Sequence, residues 1–226
     1  MYTPVKQLIA QFKNPVDWDK RAKDKAKKLV ISVDDVKKQW ENSKIIGETI
    51  HSKLIEQDMK NKDVVLEGYV GSCTSIEDIL DKSKNSLENR KTYLEKLLFS
   101  NKYFVLGYAD KVIVSRGTID IVDTKCFEKL YRKSSFKADN GFKIEAKKML
   151  YPLNHLDDCN YIHAVLQVSI YMYLAWENNK SLKVGKLYIR HITPRQDGKI
   201  ASDELLEVPY LKKEALQLLK YNLINK

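Results

Sequence analysis

The chain has 226 residues, of which 43% are hydrophobic and 31% are charged. This length is enough for one packed domain with additions. No apolar run approaches the ~18 residues that span a bilayer, so we expect no membrane partner. The amino terminus lacks the pattern of a secretory signal. This favours a cytoplasmic protein of a bacterial cell or of a phage-infected host.

A formal net charge of +10 favours a polyanionic partner, which we expect to be DNA. Only six of the 40 basic residues are arginines. Lysine acts as a point charge on phosphate, whereas bidentate reading of bases favours arginine, so this balance predicts contact that is independent of base sequence. The densest basic run, residues 20–28, has the alternative interpretation of an ordinary solvated helix face.

The first sixty residues are predicted to be helical. Ser32 has the residue type of a helix cap, and apolar residues recur at helical spacing. The predicted helices are Val5–Phe12, Pro15–Lys28, Ser32–Glu41 and Ile45–Lys60. We therefore expect a helical lobe over residues 1–60 that leads into a core over residues 61–226.

The pattern changes to strands in the middle of the chain. After a short strand at 64–69 and a polar helix at 75–90, β-branched and aromatic residues dominate from Thr92 to residue 127, with turns near residues 100 and 116. This indicates an antiparallel meander of three strands. An apolar helix (161–178), a strand (182–192) and an amphipathic helix (211–223) follow. The predicted class is α/β, with a core of helix, meander, helix and strand.

The meander contains the candidate catalytic residues. A turn at residues 115–117 would bring Asp110 and Asp123 onto neighbouring strands, where two acids can share one divalent ion. Lys125, two residues after Asp123, would point to the same face because side chains alternate along a strand. Two acids with an ammonium group beside them suit hydrolysis of a phosphodiester with Mg²⁺ or Mn²⁺. A surface salt bridge is the alternative explanation for Asp123 and Lys125.

Two further groups lie on predicted helices. His51 could supply a nitrogen ligand to the same ion, although a lone histidine is more often structural. Gln167 and Tyr171 are spaced i and i+4, so they share one face of an otherwise apolar helix and need polar partners. A DNA backbone could provide those partners, and so could a buried network that joins helix to sheet.

Four short motifs occur in order along the chain: G-x-x-x-H at 47–51, G-x-x-D at 107–110, D-x-K at 123–125 and Q-x-x-x-Y at 167–171. Their combination, from about Trp40 to Thr193, resembles the RecB-like exonuclease branch of the PD-(D/E)XK nucleases. That branch includes the nuclease domains of RecB and AddB and the mitochondrial genome maintenance exonuclease. The resemblance implies a restriction-endonuclease-like core.

The resemblance also implies the role of each site residue. The catalytic residues would be Asp110, Asp123, Lys125, Gln167 and Tyr171, and the metal ligands would be His51, Asp110, Asp123 and the carbonyl of Thr124. Gln167 and Tyr171 would also orient DNA, and we expect Lys111 and Arg116 to contact it. Glu95 lies where many relatives carry a glutamate, and the long segment between Lys125 and Gln167 is a candidate DNA-guiding insertion.

Some cofactors and partners are not expected. Cys73, Cys126 and Cys159 are too few and too separated for the four-cysteine iron–sulfur cluster of some relatives. The chain has no phosphate-binding helicase motif, so any helicase or recombination partner would be a separate protein.

The sequence thus predicts a metal-dependent DNA nuclease of recombination, repair or replication. We expect an exonuclease that acts on ends or single strands without sequence specificity. A structure-selective endonuclease of resolvase or restriction type is one alternative, because the same core serves both activities. A non-catalytic DNA-binding or packaging factor is the other.

Overall fold

The computed structural model describes residues 1–61, 64–66, 90–134 and 147–226. Several predictions lie outside these ranges. They are the predicted helix at 75–90 apart from Arg90, residues 67–69 of the predicted first strand, Cys73, and residues 135–146 of the candidate DNA-guiding insertion.

The described strands form one mixed sheet. In chain order they are β1 (Thr3–Pro4), β2 (Val64–Leu66), β3 (Lys91–Ser100), β4 (Val105–Ser115), β5 (Thr118–Cys126), β6 (Lys183–Pro194) and β7 (Ile200–Val208). Strands β2 to β7 lie side by side in sequence order, and β1 pairs with the start of β4. The pairs β3–β4, β4–β5 and β6–β7 are antiparallel, whereas β1–β4, β2–β3 and β5–β6 are parallel.

Five helices lie among the described residues: α1 (Val5–Ala10), α2 (Trp18–Leu29), α3 (Val33–Asp58), α4 (Asn160–Asn178) and α5 (Lys212–Ile224). The predicted α/β class is therefore confirmed. None of the helices in the described ranges is long and apolar enough to cross a membrane.

The main core surrounds α4, which is buried on nearly all sides. This helix packs on β3, β5 and β6 and is flanked by α1 and α5. Because α1 contributes Val5, Leu8 and Ile9 to the same core, the first residues of the chain belong to this packing unit. Helix α2 has instead a small core of its own with the start of α3, formed by Ala22, Ala26 and Val36. The division of the chain at residue 60 stays a prediction.

Helix α3 is one continuous helix, so the predicted break between residues 41 and 45 is wrong. The predicted cap is confirmed, because Ser32 Oγ accepts a hydrogen bond of 3.0 Å from the Asp35 N–H. Residues 41–45 are all exposed and so lack the apolar pattern that marks a helix, yet Ser43 Oγ bonds the carbonyl of Gln39 at 2.8 Å and the helix continues. The break in the sequence pattern is thus a change of packing partner, from α2 to the sheet.

Two other boundaries differ from the prediction. Helix α2 begins after Asp17, whose Oδ1 accepts a hydrogen bond of 2.9 Å from the Lys20 N–H, and not at Pro15. Strand β7 was not predicted because almost all of its residues are exposed. Charged edge strands of this kind lack the alternation of a half-buried strand, and their charges disfavour pairing with another chain.

Candidate metal centre

The centre is built where β4 and β5 diverge. The two strands are paired from Ser115–Thr118 to Lys111–Val122 and no further. Asp110 and Asp123 are the next residues on each strand, so the divergence opens a space between two acids. The Asp110 carboxylate bridges this fork, because its Oδ2 accepts a hydrogen bond of 2.6 Å from the Thr124 N–H.

Strand β3 adds a third acid. Glu95 lies between the pairs Leu94–Lys111 and Lys96–Ala109, which places it beside Asp110. Its backbone has a φ of +50°, in the left-handed region that costs an ordinary residue about 1–2 kcal/mol. Its Oε1 is buried and accepts no hydrogen bond from the described residues. Backbone strain and a buried oxygen without a hydrogen bond, both at one residue, indicate that this position serves a ligand more than stability.

Helix α3 supplies a nitrogen ligand to the same place. His51 Nε2 lies 3.2 Å from Asp110 Oδ2 and 3.5 Å from Glu95 Oε1. One ligand atom each from His51, Glu95 and Asp110 lies within 4.8 Å of the others, so these three residues could hold one metal ion.

The charges of these three groups are coupled. The hydrogen bond to Asp110 raises the pKa of His51. Burial, and then the nearby Asp110 charge, raise the pKa of Glu95. Burial opposes ionisation of Asp110, but hydrogen bonds from His51 and Thr124 lower its pKa overall. Burial and the neighbouring Asp110 charge thus make ionisation of Glu95 costly unless a cation lies beside it.

The second half of the centre is a buried polar network. Asp123 is only 1% exposed, and the Lys125 ammonium contacts its Oδ2. Lys125 Nζ also donates to Gln167 Oε1 at 2.9 Å, while Gln167 Nε2 lies 3.4 Å from Asp123 Oδ1. Gln167 Nε2 donates in turn to the Tyr171 hydroxyl at 2.8 Å. The expected shared face of Asp123 and Lys125 is confirmed, and a surface salt bridge is excluded by the burial.

Burial raises the pKa of Asp123 to about 6, although the Lys125 charge acts in the opposite direction. Burial alone would lower the pKa of Lys125, but the Asp123 and Asp110 charges raise it, so the lysine is held as an ammonium ion. An ionised Asp123 in this position therefore requires positive charge next to it.

A glycine makes room for this network. A Cβ on Gly107 would lie 2.6 Å from Cε1 of the Tyr171 ring, closer than such contacts allow. The glycine of the G-x-x-D motif thus leaves the space that the buried Tyr171 ring occupies. Gly47 of the G-x-x-x-H motif is different, because a Cβ there would lie an ordinary 3.5 Å from Cys126 Cβ.

The structure brings most of the predicted residues together and adds one. Glu95 belongs to the compact three-residue cluster, whereas Asp123, which was predicted as a ligand, does not. Sequence reasoning gave Glu95 no role, although an acid in the apolar stretch TYLEKLLF is the same signal that selected Asp123. The predicted carbonyl ligand of Thr124 stays a prediction.

Two predicted DNA contacts lie elsewhere. Lys111 is largely buried, and its Nζ lies 2.5 Å from Asp58 Oδ2. Arg116 lies in the β4–β5 turn, six residues and about 20 Å of strand away from Asp110. The structure does not bring Arg116 to the centre, and DNA contact by either residue stays a prediction.

The residues fit a divalent cation. Glu95 Oε1 is buried and accepts no hydrogen bond from the described residues, with the His51 imidazole 3.5 Å away, and Asp123 Oδ2 is buried in contact with the Lys125 ammonium. Carboxylate oxygens and an imidazole nitrogen are both common ligands of divalent metal ions. A cation at this place would favour ionisation of Glu95, which burial and the Asp110 charge oppose.

Comparison with known proteins gives weak similarity. No protein family and no curated protein matches the chain by sequence. The structure of a protein called SSO0001 matches at 18% identity and a TM-score of 0.35, over 100% of this chain and 76% of that one. A Eubacterium rectale protein described as a candidate exonuclease matches at 14% identity and a TM-score of 0.39, over 81% of this chain and 65% of that one. At these TM-scores the similarity identifies neither the fold family nor the activity of this chain.

Proposed function

We propose that this protein is a metal-dependent DNA nuclease of the RecB-like branch of the PD-(D/E)XK superfamily. The observation that carries the proposal is convergence at the β4–β5 fork. An imidazole, three carboxylates and an ammonium group, from α3 and three adjacent strands, meet there although they are far apart in sequence. The order of the four motifs and the predicted core of helix, meander, helix and strand support the same family.

The chemistry of the site suits phosphodiester hydrolysis. His51, Glu95 and Asp110 would hold Mg²⁺ or Mn²⁺ with Asp123 beside them. The bound ion supplies polarisation of the phosphoryl group and acidification of a water molecule. The Lys125 ammonium offsets the negative charge that develops on the phosphate, or orients the attacking water.

The helix network positions the lysine. Gln167 accepts a hydrogen bond from Lys125 and approaches Asp123, so it fixes the ammonium relative to the acid. Tyr171 fixes Gln167 in turn. Side chains held in this way need little reorganisation during the reaction, which is the main source of electrostatic catalysis.

The test is DNA digestion by the parent protein and by Lys125→Ala with Mg²⁺ or Mn²⁺. We expect the parent to require the ion and Lys125→Ala to lose at least about 100-fold in rate, because the transition-state charge is then left without its ammonium. Lys186→Ala is the matched control, since this lysine is exposed on β6 and forms an ion pair with Glu207 at 2.7 Å. Equal rates for the two variants would refute the assignment.

Exonuclease and endonuclease activity are distinguished with a second DNA substrate. We propose an exonuclease without sequence specificity, in agreement with the predominance of lysine over arginine. Linear DNA should then be degraded while covalently closed circles of the same sequence survive. Cutting of the circles would favour a structure-selective endonuclease, and retention of DNA without cutting would favour a non-catalytic factor.

A further inference from the structure

Helix α2 is a strongly basic surface away from the metal centre. Residues 20–28 hold six cations and one acid, Asp24. Lys20, Lys23 and Lys27 are exposed, and their i, i+3, i+7 spacing places them on one face of the helix. No carboxylate of the described residues lies within ion-pair distance of these three lysines. Their charge is therefore available to a partner.

The helix is held rigidly. Ala22 and Ala26 are buried against Val36 at the start of α3. The Trp18 and Trp40 rings meet edge to face at 5.8 Å, and Arg21 and Lys25 lie over them at 5.5 and 5.9 Å. The cations of α2 are thus displayed on a packed helical hairpin, which we call the basic arm (residues 17–41).

The basic arm is attached to the metal centre by α3. Val36 packs on α2, and the same helix carries His51, whose imidazole lies beside Asp110 in the metal centre. The two residues are fifteen positions apart along the helix, a distance of about 22 Å. A duplex strand carries a phosphate every ~3.4 Å along its axis, so a substrate in the centre would meet the arm about six nucleotides away.

From this arrangement we infer that the basic arm binds the phosphate backbone of a nucleic acid through Lys20, Lys23 and Lys27. The inference rests on the proposed function only for the statement that this nucleic acid is the substrate. Charge complementarity selects the partner, because three exposed ammonium groups on one face act as point charges on phosphate. An anionic membrane is disfavoured, since an interfacial helix needs a continuous exposed apolar face. The middle of the apolar face of α2, Ala22 and Ala26, is buried against α3, and only Trp18 and Leu29 at its two ends are exposed.

The test measures binding of a fluorescent 30-base-pair duplex with a chelator present, so that cleavage plays no part. The variant is the triple substitution Lys20→Gln, Lys23→Gln and Lys27→Gln. The matched control removes three exposed lysines from other surfaces, Lys180→Gln, Lys213→Gln and Lys220→Gln. Both variants have the same net charge, so a difference between them reports position.

We expect the arm variant to bind at least about 10-fold more weakly than the control near 0.15 M salt. Its plot of log affinity against log salt should be shallower by about 2–3, since each phosphate contact contributes about 0.9. Arginine at the same three positions should restore the affinity. If the three substitutions destabilise the arm variant, its unfolding midpoint will differ from that of the parent protein. In that case the arginine variant is the one whose affinity is compared with that of the control.

The inference is overturned if the arm variant and the control have the same affinity and salt slope. It is also overturned if the parent protein binds vesicles containing phosphatidylserine but not the duplex. Because the measurement excludes cleavage, a protein that binds through its arm but digests nothing would refute the proposed function alone. A protein that digests DNA equally well with and without the arm lysines, and binds equally, would refute this inference alone.

Discussion

The metal centre and the basic arm use charge in opposite ways. At the centre, Asp123 is buried and Lys125 is largely buried, each depends on the charge of the other, and burial raises the pKa of Asp123. In the arm, Lys20, Lys23 and Lys27 are exposed to solvent. Buried charges act together, so loss of one leaves the others uncompensated. Exposed charges act additively and are screened by salt. Substitutions should therefore have all-or-none effects at the centre and graded effects in the arm.

The largest effect should be stabilisation by the metal ion. Mn²⁺ at 100 times its dissociation constant should raise the free energy of unfolding by about 2.7 kcal/mol, because only the folded cluster brings the ligands together. Asp110→Asn should abolish the increase. The triple arm variant should keep it in full. Chemical unfolding with and without Mn²⁺ measures all three proteins, and an equal increase in Asp110→Asn would place the ion elsewhere.

The next largest effect concerns the packing of Gly107 against the Tyr171 ring, beside the buried polar network. Gly107→Ala should lower the free energy of unfolding by about 2 kcal/mol, because the new methyl group displaces the buried Tyr171 ring. Gly47→Ala makes the same chemical change at a helical position where the methyl group meets only an ordinary contact, and it should stabilise the protein by about 0.5–1 kcal/mol. Denaturant titration compares the two. Similar values for both would show that the tight contact at Gly107 relaxes without cost.

The smallest effect tests the strain at Glu95. Glu95→Gly should raise the free energy of unfolding by about 1 kcal/mol or less, since relief of the left-handed backbone exceeds the entropy cost of glycine. Glu95→Gln removes the charge but keeps the strain, and so isolates the backbone contribution. Both variants should lose Mn²⁺ stabilisation. If Glu95→Gly is no more stable than Glu95→Gln, the backbone at this position stores no usable strain.

The sequence predicted the centre better than the arm. The acids and the lysine lie next to apolar strand residues, where a charge is costly and therefore informative. The turn before Thr118 then gave the strand pairing that brings Asp110 and Asp123 together. His51 is a candidate by its residue type, and Gln167 and Tyr171 by their helical spacing, while the motif resemblance implies their roles. The structure places all three at the same fork.

What the sequence did not predict has a common physical cause. Strand β7 and residues 41–45 of α3 are exposed, so they carry no apolar periodicity although their backbones are regular. Glu95 owes its place in the cluster to a left-handed backbone, which favours glycine and is unusual for glutamate. Local propensity does not encode a conformation that is maintained by the surrounding strands.

The continuity of α3 has a consequence for the angle between its two ends. In an α-helix each residue turns the chain by about 100°, so the number of residues between Val36 and His51 sets the direction in which the arm points. One residue inserted into the exposed stretch at 41–45 would swing the lysines around the helix axis by more than a quarter turn, while the imidazole kept its place. The number of residues along this helix therefore fixes the angle between the basic arm and the metal centre.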